Sequence, residues 1–490
     1  MSVRFSASPA RPTCQLRQVH HFRFVFAAAF FTGLSTLALS AQPAAPDFAA
    51  AHQEVVDTLR AFVRVDTSSP PGNETRGAEF LKRILDDAGI PCELLGTVPD
   101  RLNLVARLKG SGRKMPLVLM GHTDVVGVER DKWSVDPFEG VIKDGFLYGR
   151  GASDDKCMTT VCLEVMLLLK RLNVPLDRDV IFIAEADEES TSTGITYLID
   201  KHWDKIACEF ALNEGGSIVE ENGSVKYVGV ATSEKVPRSL FLASKGTSGH
   251  GSRPRPDNAL VHLATAVAKI SGAWQPPVRL NETTRAYFER LATISPPEEA
   301  WLYTHFNDPV VGPQVQEIFR LSEKYLIENS VLRTTISPTV IKSGFRFNVI
   351  PADGLATLDV RALPDENLEE LIKTLAGVIN DPAITITPSE YNNFPATPPS
   401  GLKTEMFEAL ERAQKKVFPG KVVIPIMQTG ATDSAFLRAK GVQAYGLGTV
   451  ADPATGGTRM HGNDERVSLA GVRLFLEYVY AATIDVAAAK

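Results

Sequence analysis

Short apolar runs alternate with a longer stretch of helical periodicity in the first half of the chain. The apolar runs cover residues 102–108, 117–120, 180–184 and 210–212, and the helical pattern covers residues 155–172. Apolar runs of this length are typical of strands, and their alternation with helices is typical of βαβ units. The pattern predicts an α/β domain whose mixed, partly parallel sheet is flanked by helices.

A second pattern begins near residue 235. It predicts two amphipathic helices, at residues 258–271 and 366–379, and a series of strands, at residues 239–245, 344–349, 356–361 and 383–387. Two helices among about four strands indicate a compact α+β module inserted into the first domain. Residues 274–330 are rich in Pro, Glu and aromatic residues, and we predict that they form a helical elaboration of this module.

The α/β pattern returns near residue 395. It predicts a helix and two short strands, at residues 404–417, 422–426 and 443–447. We therefore predict one domain made of residues 52–234 and 396–490, with residues 235–395 as an inserted domain.

The first 46 residues have a charge pattern of their own, with four arginines and no Asp or Glu. An apolar stretch at residues 24–39 precedes Ser40, a small residue suited to a cleavage site. We expect residues 1–41 to be a signal peptide, residues 42–51 to be a flexible linker, and the mature protein to be exported, either periplasmic or secreted. A retained anchor helix and an organelle-targeting peptide are the alternatives, although the apolar stretch is shorter than the roughly 20 residues that span a bilayer.

Composition bears on nucleic-acid binding and on disulfide bonds. The chain has 52 basic and 58 acidic side chains, a formal net charge of −6 and no long basic block, which argues against a nucleic-acid partner. Its cysteines form no CxxC pair and have no dense spacing, so we expect buried thiols rather than a disulfide framework.

Polar residues with metal-binding chemistry follow the predicted strands. The first group is GHTD, in which His122 and Asp124 end an apolar strand. Residues i and i+2 of an extended chain point to the same side, so Asp124 is placed to orient the ring of His122 for a metal. A buried structural histidine is an equally good interpretation of this motif alone.

Two acidic groups continue the series. GRGASDDK places Asp154 and Asp155 before a helix, where a helix cap is the alternative role. IFIAEADEES ends a strand in Glu188 and Glu189. Clustered carboxylates at a strand end indicate a cation site or a general base with a raised pKa, and a solvated acidic loop is the alternative.

Glu214 in EFALNEGG and His461 in RMHGNDERV complete the series. Two histidines with several carboxylates suit a borderline metal such as Zn²⁺, whereas an all-oxygen site would suit Mg²⁺ or Ca²⁺. The sequence contains no GxSxG elbow, no P-loop and no HExxH helix, so other common hydrolase and nucleotide-binding signatures are lacking.

The ordered set GHTD, GRGASDDK, DEE, NEGG and HGNDE resembles the M20 family of dizinc peptidases and amidohydrolases, which includes carboxypeptidase G2, carboxypeptidase S and aminoacylase-1. The resemblance extends from about residue 52 to the C-terminus. It implies a catalytic α/β domain with two Zn²⁺ ions, replaceable by Co²⁺ or Mn²⁺, and an inserted ferredoxin-like lid domain.

The resemblance also implies roles for individual residues. It implies a set of metal ligands: His122 and Glu214 for one zinc ion, Glu189 and His461 for the other, and Asp154 as the bridge. Asp124 would orient His122. Glu188 would be the general acid/base, which takes a proton from a metal-bridging water and delivers it to the leaving nitrogen.

Further motifs resemble the substrate contacts of the family. In KGTSGHGSRP, His250 would contact the oxyanion, from the partner subunit of a homodimer formed through the lid domain. In FNVIP and LDVR, Asn348 and Arg361 would bind the substrate carboxylate or assist the oxyanion. Gly430 of QTGATDS lies in the motif that resembles the loop for the substrate carboxylate. The alternatives are a turn histidine at residue 250 and an ordinary helix cap in the loop of Gly430.

The function implied by the resemblance is hydrolysis of an amide bond next to a free carboxylate, by a carboxypeptidase or an N-acyl amino acid hydrolase. The substrate would be a small peptide or an N-acyl amino acid. A dipeptidase of the same family is the second interpretation, and it would need a site for the free amine of the substrate. A metal-dependent peptide-binding protein without catalysis is the third.

Overall fold

The computed structural model of the protein describes residues 45–272, 274–390, 394–451 and 458–489. The predicted signal peptide, residues 1–41, lies outside this part of the chain. Among the helices that are described, none combines the length and the apolar character needed to cross a membrane.

The described part of the chain alternates helices and strands. The helices are α1 (Phe48–Val63), α2 (Glu74–Asp87), α3 (Lys156–Arg171), α4 (Thr193–Lys201), α5 (Trp203–Ile206), α6 (Ala259–Ser271), α7 (Glu282–Ile294), α8 (Pro297–His305), α9 (Gly312–Leu321), α10 (Leu326–Val331), α11 (Leu368–Ile379), α12 (Glu405–Val417), α13 (Ser434–Ala439) and α14 (Leu469–Ala487). Short 3₁₀ turns occur at Arg130–Lys132 and Glu323–Tyr325. The strands are β1 (Ser68–Ser69), β2 (Cys92–Leu95), β3 (Asn103–Leu108), β4 (Leu117–His122), β5 (Val125–Val126), β6 (Val141–Lys143), β7 (Phe146–Tyr148), β8 (Val180–Glu185), β9 (Phe210–Asn213), β10 (Ser217–Glu221), β11 (Ser224–Glu234), β12 (Val236–Pro237), β13 (Leu240–Lys245), β14 (Gly249–His250), β15 (Thr335–Ser343), β16 (Val349–Ile350), β17 (Asp353–Ala362), β18 (Ile384–Pro388), β19 (Val423–Gln428), β20 (Gln443–Gly446), β21 (Val450–Ala451) and β22 (Arg466–Ser468).

Strand β4 lies in the middle of the large sheet and is buried on both faces. Leu117 and Leu119 pack into one hydrophobic core, and Val118 and Met120 pack into a second core on the opposite face. A strand with two buried faces is apolar throughout, which is the pattern seen in the sequence. The first core is formed with α1, α2, α3, α12 and α14, and the second with α4, α5 and α13.

The large sheet contains both halves of the predicted split domain. Within the described residues it has ten strands, in the order β2-β3-β8-β4-β9-β20-β11-β10-β21, and β19 pairs with β11. β4 is parallel to β8 and β9, while β3 is antiparallel to β8, so the sheet is mixed. The predicted α/β class is confirmed.

The second sheet is made by residues between β11 and β19. Its elements β13, α6, β15, β17, α11 and β18 occur along the chain in the order β-α-β-β-α-β, with α7 to α10 inserted between α6 and β15. The strands are antiparallel, in the order β18-β13-β17-β15. This is the ferredoxin-like arrangement. α6 and α11 cover one face, where Leu263 and Leu375 pack against Leu242 and Leu358. Alternate residues of β17 are exposed, as expected of an antiparallel sheet with one covered face.

Two boundaries differ from the sequence prediction. Helix α1 begins at Phe48, inside the predicted linker, because the carboxylate of Asp47 accepts hydrogen bonds from the N–H groups of Ala49 and Ala50. The predicted strand at residues 344–349 is wrong. The chain leaves β15 at Ser343 and turns at Gly344, whose φ of +71° belongs to the left-handed region that favours glycine.

The segment at residues 274–330 is helical, but its packing differs from the prediction. The core of α7 to α10 includes Tyr287 and Phe319, and it contains Ile424 and Met427 of β19. These helices therefore pack on the large sheet, where they bury apolar side chains of β19. They do not belong to the core of the five-stranded sheet.

Candidate metal centre

The carboxyl ends of three neighbouring parallel strands converge on one edge of the large sheet. β4 ends at His122, β8 runs into the loop of Glu188 and Glu189, and β9 is followed by Glu214. In open α/β sheets this edge is where ligands bind. The loop before α3 adds Asp154, and the loop before β22 adds His461.

The five residues with implied metal-ligand roles lie within contact distance of one another. His122 Nε2 is 3.1 Å from Asp154 Oδ1 and 3.9 Å from Glu214 Oε1. His461 Nε2 is 3.1 Å from Asp154 Oδ2 and 3.0 Å from Glu189 Oε2. Asp154 therefore presents one carboxylate oxygen to each histidine, as a bridging ligand would.

The ring of His122 is oriented by Asp124. His122 Nδ1 lies 3.0 Å from the backbone carbonyl oxygen of Asp124 and 3.4 Å from its carboxylate oxygen Oδ1. The tautomer that donates from Nδ1 to this carbonyl oxygen would direct the lone pair of Nε2 toward a metal. The carboxylate of Asp124 has another task, since it accepts hydrogen bonds from the N–H groups of Glu188 (3.2 Å) and Glu189 (3.0 Å).

Glu188 lies beside these groups. A carboxylate oxygen of Glu188, a nitrogen of His122 and a carboxylate oxygen of Glu214 all lie within 4.8 Å of one another. Burial, followed by repulsion from Glu214, raises the pKa of Glu188 well above its ordinary value. Glu188 therefore places a buried carboxyl group with a raised pKa beside the candidate ligands.

The charges of the site favour a bound cation. Burial, then repulsion from Asp154, raises the pKa of Glu214 to about 8. Hydrogen bonds to Asp154 and Glu189 raise the pKa of His461 to about 10. Burial opposes ionisation of Asp154, but its hydrogen bonds with His122 and His461 outweigh that effect and lower its pKa. Carboxylates and imidazoles of this number suit borderline divalent metals, so the residues present fit the metal that the resemblance implies.

The alternative roles for the two acidic motifs do not agree with the contacts. Asp155 is the first residue before α3, yet its side chain makes no capping hydrogen bond to that helix. Its Oδ2 accepts a hydrogen bond from the N–H group of His122 at 3.3 Å, and the residue is 2% exposed. Asp187 is 1% exposed, so the loop that it begins is not a solvated acidic loop.

The residues predicted to contact substrate lie on the five-stranded sheet and its short ribbon. His250 pairs with Val349 in the ribbon of β14 and β16, and Gly251 N–H donates to the carbonyl oxygen of Asn348 at 2.8 Å. Arg361 on β17 donates to the carboxylate of Asp359. Across the part of the chain that the structure describes, no hydrogen bond or ion pair joins these three predicted residues to the metal ligands.

The loop after β19 lies beside the candidate ligands. Gly430 faces open space, since a Cβ atom there would have no neighbour within 4 Å. Thr432 Oγ1 accepts a hydrogen bond from the N–H group of Ser434 at 3.2 Å, whereas Asp433, the residue directly before α13, makes no capping hydrogen bond to that helix. Thr432 also donates to Glu234, the last residue of β11, at 3.0 Å.

Sequence reasoning missed several buried charged residues around the centre. Glu465 accepts hydrogen bonds from Arg150 and from the N–H groups of Gly151, Ser153 and Asp154, at 2.6 to 3.0 Å. It thereby fixes the loop that carries Asp154. Glu465 stood inside the motif RMHGNDERV, and its separation from His461 by four residues was the only available signal.

A second missed group is a pair of buried carboxyl groups. Glu185 ends β8 beside His122 on β4, and Asp433 follows Thr432; both are 0% exposed. Burial raises the pKa of Asp433 to about 7, and burial with repulsion from Asp433 raises the pKa of Glu185 well above its ordinary value. A lone acidic residue at a strand end gives no sequence signal of this kind.

A small cleft opens next to Glu214. Its lining includes the apolar side chains of Met158, Leu447 and Phe475 and the polar residue Ser153. Asp155, Gln428 and Thr449 also line the cleft, so polar and apolar groups both border the candidate ligand Glu214.

The chain is similar to known proteins of one family. A model of the peptidase family M20/M25/M40 matches residues 118–484. The chain is 28% identical over 447 residues to human N-fatty-acyl-amino acid synthase/hydrolase PM20D1, covering 86% of each protein. It is 25% identical over 440 residues to aminoacylase-1 of Sus scrofa, covering 87% of this chain and 94% of that protein.

A solved structure is similar over most of the fold. The M20 family metallo-carboxypeptidase Sso-CP2 from Sulfolobus solfataricus superposes with a TM-score of 0.65 at 20% identity, covering 88% of this chain and 98% of that one. The family match spans most of the chain and includes all five candidate metal ligands. We conclude that the chain belongs to peptidase family M20/M25/M40 and is a metal-dependent hydrolase of amide or peptide bonds.

Proposed function

We propose that this protein is a dizinc amidohydrolase that releases an amino acid from an N-acyl amino acid with a free carboxylate. The observation that carries the proposal is the convergence of His122, Asp154, Glu189, Glu214 and His461 around the half-buried Glu188. The relatives named for acyl amino acids support the substrate class.

Different residues of the site would bind the metal ions and transfer the proton. His122 and Glu214 would hold one Zn²⁺, Glu189 and His461 the other, and Asp154 both. When bound, the ions polarise the scissile carbonyl group and lower the pKa of the attacking water. Glu188 accepts the proton of that water and donates it to the leaving nitrogen, which is general acid–base catalysis by one carboxyl group.

Removal and return of metal tests this proposal. Treatment with a chelator should abolish hydrolysis of N-acyl amino acids, and added Zn²⁺ should restore it, with Co²⁺ or Mn²⁺ as substitutes. Hydrolysis that survives complete removal of metal would contradict the mechanism.

Replacement of Glu188 tests the role of the base. Glu188→Gln should lower kcat by about 10²- to 10⁴-fold while the bound zinc measured by atomic emission stays the same. Glu221→Gln, on an exposed carboxylate paired with Lys226, is the matched control and should retain activity. Loss of zinc together with activity in Glu188→Gln would instead make Glu188 a metal ligand.

A dipeptidase is the second candidate. It requires a site that recognises the free amine of the substrate, whereas an N-acyl amino acid hydrolase does not. A comparison of a free dipeptide with its N-acetylated form separates the two, because faster hydrolysis of the acetylated form supports our proposal and faster hydrolysis of the free form contradicts it. Turnover of either substrate excludes a binding protein without catalysis.

We also propose export and assembly as a homodimer. The arginines before the apolar stretch at residues 24–39 support export, and mass spectrometry of the mature protein should find its N-terminus at Ala41 or Gln42. The edge strand β15 supports a homodimer, since Val340 (41%) and Ile341 (53%) are exposed there. Light scattering should show a dimer for the natural sequence and a monomer for Ile341→Lys, and a monomeric natural protein would refute the dimer.

A further inference from the structure

Arg101 joins two buried carboxylates beside the candidate metal centre. Its Nε donates to both carboxylate oxygens of Glu74, at 3.0 and 3.1 Å, and its Nη2 donates to Asp187 Oδ1 at 2.6 Å. The side chain of Arg101 is 23% exposed, whereas those of Glu74 and Asp187 are 0% and 1% exposed. The guanidinium thus links the first residue of α2 to the loop after β8.

Asp187 holds the turn that presents Glu188 and Glu189. Its φ of +71° is a left-handed conformation, uncommon for a residue other than glycine. Its Oδ2 accepts hydrogen bonds from the hydroxyl groups of Thr191 and Thr193, and its carbonyl oxygen accepts from the N–H group of Ser192 at 2.7 Å. The carboxylate of Asp187 therefore connects both ends of this loop to Arg101.

The same loop is held from its other side by Asp124, whose carboxylate accepts the N–H groups of Glu188 and Glu189. Carboxylate oxygens of Glu74, Asp124 and Asp187 lie within 4.8 Å of one another. Three buried carboxylates repel unless a cation lies between them. Arg101 supplies that charge for two of them, with a planar fork that suits bidentate binding.

The chain leaves room for this guanidinium at Gly72. Gly72 has a φ of +84°, and a Cβ atom there would lie 2.4 Å from Nε of Arg101. Any other residue at this position would push the guanidinium away from Glu74 and Asp187.

We infer that Arg101 is a positioning residue for hydrolysis, which acts through Asp187 to hold Glu188 and Glu189 in their reactive positions. The inference rests on the proposed roles of Glu188 and Glu189. The residues that act on metals are commonly oriented by a further layer of hydrogen bonds, and loss of such a partner costs about 10- to 100-fold in activity or metal affinity.

A purely structural ion pair would also matter to the protein, because removal of one partner leaves a buried charge without compensation. The test must therefore separate stability from positioning. Arg107 on strand β3 is the matched control, because it is equally buried, with a side chain that is 22% exposed. It donates to the carboxylate of Asp179 at 2.7 Å, and neither residue is a candidate metal ligand.

Kinetics of Arg101→Met and Arg107→Met form the first arm. We expect Arg101→Met to lower kcat by about 10- to 100-fold with a small change in KM, and Arg107→Met to retain kcat. Values are taken per folded molecule, from thermal melts at the assay temperature. Arg101→Lys keeps the charge but not the fork, so it is expected to fold and still to lower kcat. A kcat of Arg101→Lys equal to that of Arg107→Met would overturn the inference.

Rescue and coupling form the second arm. Free guanidinium ion at millimolar concentration should restore part of the activity of Arg101→Ala and none of that of Glu188→Gln. Asp187→Asn should lower kcat as Arg101→Met does, and the double variant should be no worse than either, because both changes break one link. Independent, additive losses would overturn the inference, as would the absence of any rescue.

Spectroscopy keeps the test independent of the proposed substrate. The protein loaded with Co²⁺ reports the ligand geometry through its visible absorption bands. We expect Arg101→Lys to change these bands or to weaken Co²⁺ binding, and Arg107→Met to leave both unchanged. If the natural protein hydrolyses no N-acyl amino acid, the proposed substrate is wrong, and the Co²⁺ result alone decides the positioning role. Identical spectra and affinities would then refute it.

Discussion

Glu164 carries a carboxyl group that is buried on the apolar helix α3. The residue is 3% exposed, and Nη1 of Arg171 lies 3.9 Å from its carboxylate oxygen Oε1. Burial, followed by repulsion from Glu54, raises the pKa of Glu164 to about 8. The folded protein therefore keeps this proton at pH values where the unfolded chain has lost it.

The stability of the protein should depend on pH through Glu164. The folded pKa lies above the unfolded value of about 4.3, so the contribution is complete below that pH and is lost as pH rises toward about 8. Glu164→Gln should raise Tm at pH 8 and leave it unchanged at pH 4. Melts across this range measure the effect, with the exposed Glu408→Gln as the control. An equal gain at both pH values would contradict the assignment.

Glu465 is the residue that fixes the loop of Asp154, through three backbone N–H groups and Arg150. Glu465→Gln would turn an N–H₂ group toward these donors. We expect zinc affinity to fall by about 10- to 100-fold, measured by competition with a chromophoric chelator. Glu477→Gln, on the surface of α14, should leave zinc affinity unchanged. Unchanged affinity in Glu465→Gln would show that the loop holds without it.

Among individual residues, the sequence predicts those that stand in recognisable motifs. His122, Asp154 and Glu214 follow apolar strands or glycine-rich turns, so their positions mark them. Glu74 and Arg101 have no such neighbours, and Arg101 contacts partners that lie 27 and 86 residues away in the chain. Their burial and charge become visible only when the fold brings distant elements together.

Helix α1 shows how one side chain sets the limit of an element. Asp47 caps the helix through the N–H groups of Ala49 and Ala50, so the alanine-rich segment that resembles a linker is the first turn. Asp47→Ala should lower the free energy of unfolding by about 1 kcal/mol, measured by urea denaturation. Asp57→Ala, exposed on the same helix, is expected to cost less than about 0.5 kcal/mol. Equal costs would mean that the cap contributes nothing specific.

The strands of the large sheet are predicted within two residues where both faces are buried, because such strands are apolar throughout. β4 and β8 are of this kind. Short strands on the surface, such as β6 and β22, were not predicted, since a three-residue strand has no period to detect. The turn at Gly344 was mistaken for a strand because the flanking Phe345 and Phe347 are apolar yet exposed.

For the whole molecule, the metal should contribute to stability. The candidate ligands come from both segments of the split domain, so a bound ion ties these segments together. Binding to the folded state alone adds about 2.7 kcal/mol at a free metal concentration of about 100 times Kd. Chelation should lower Tm, excess zinc should restore it, and Glu214→Ala should reduce the response. A Tm that is unchanged by chelation would contradict a metal ion bound by both segments.

The two sheets are predicted by the order of patterns along the chain, because each pattern change near residues 235 and 395 lies close to a change of sheet. The partner of α7 to α10 is not encoded locally. Their apolar faces fit any apolar surface of suitable shape, and only the complete fold shows that β19 is covered by them.

Strand β20 lies between β9 and β11, although the chain makes it more than 200 residues after either. While the C-terminal segment is still being synthesised, the nascent sheet therefore lacks a strand in its middle. Glu189 also lacks its contact with His461, which lies 272 residues later in the chain. Contacts between residues so far apart in the sequence form slowly during folding. A chain that stops before residue 443 loses an internal strand as well as a ligand, so truncated products of translation should be substrates for quality-control proteases.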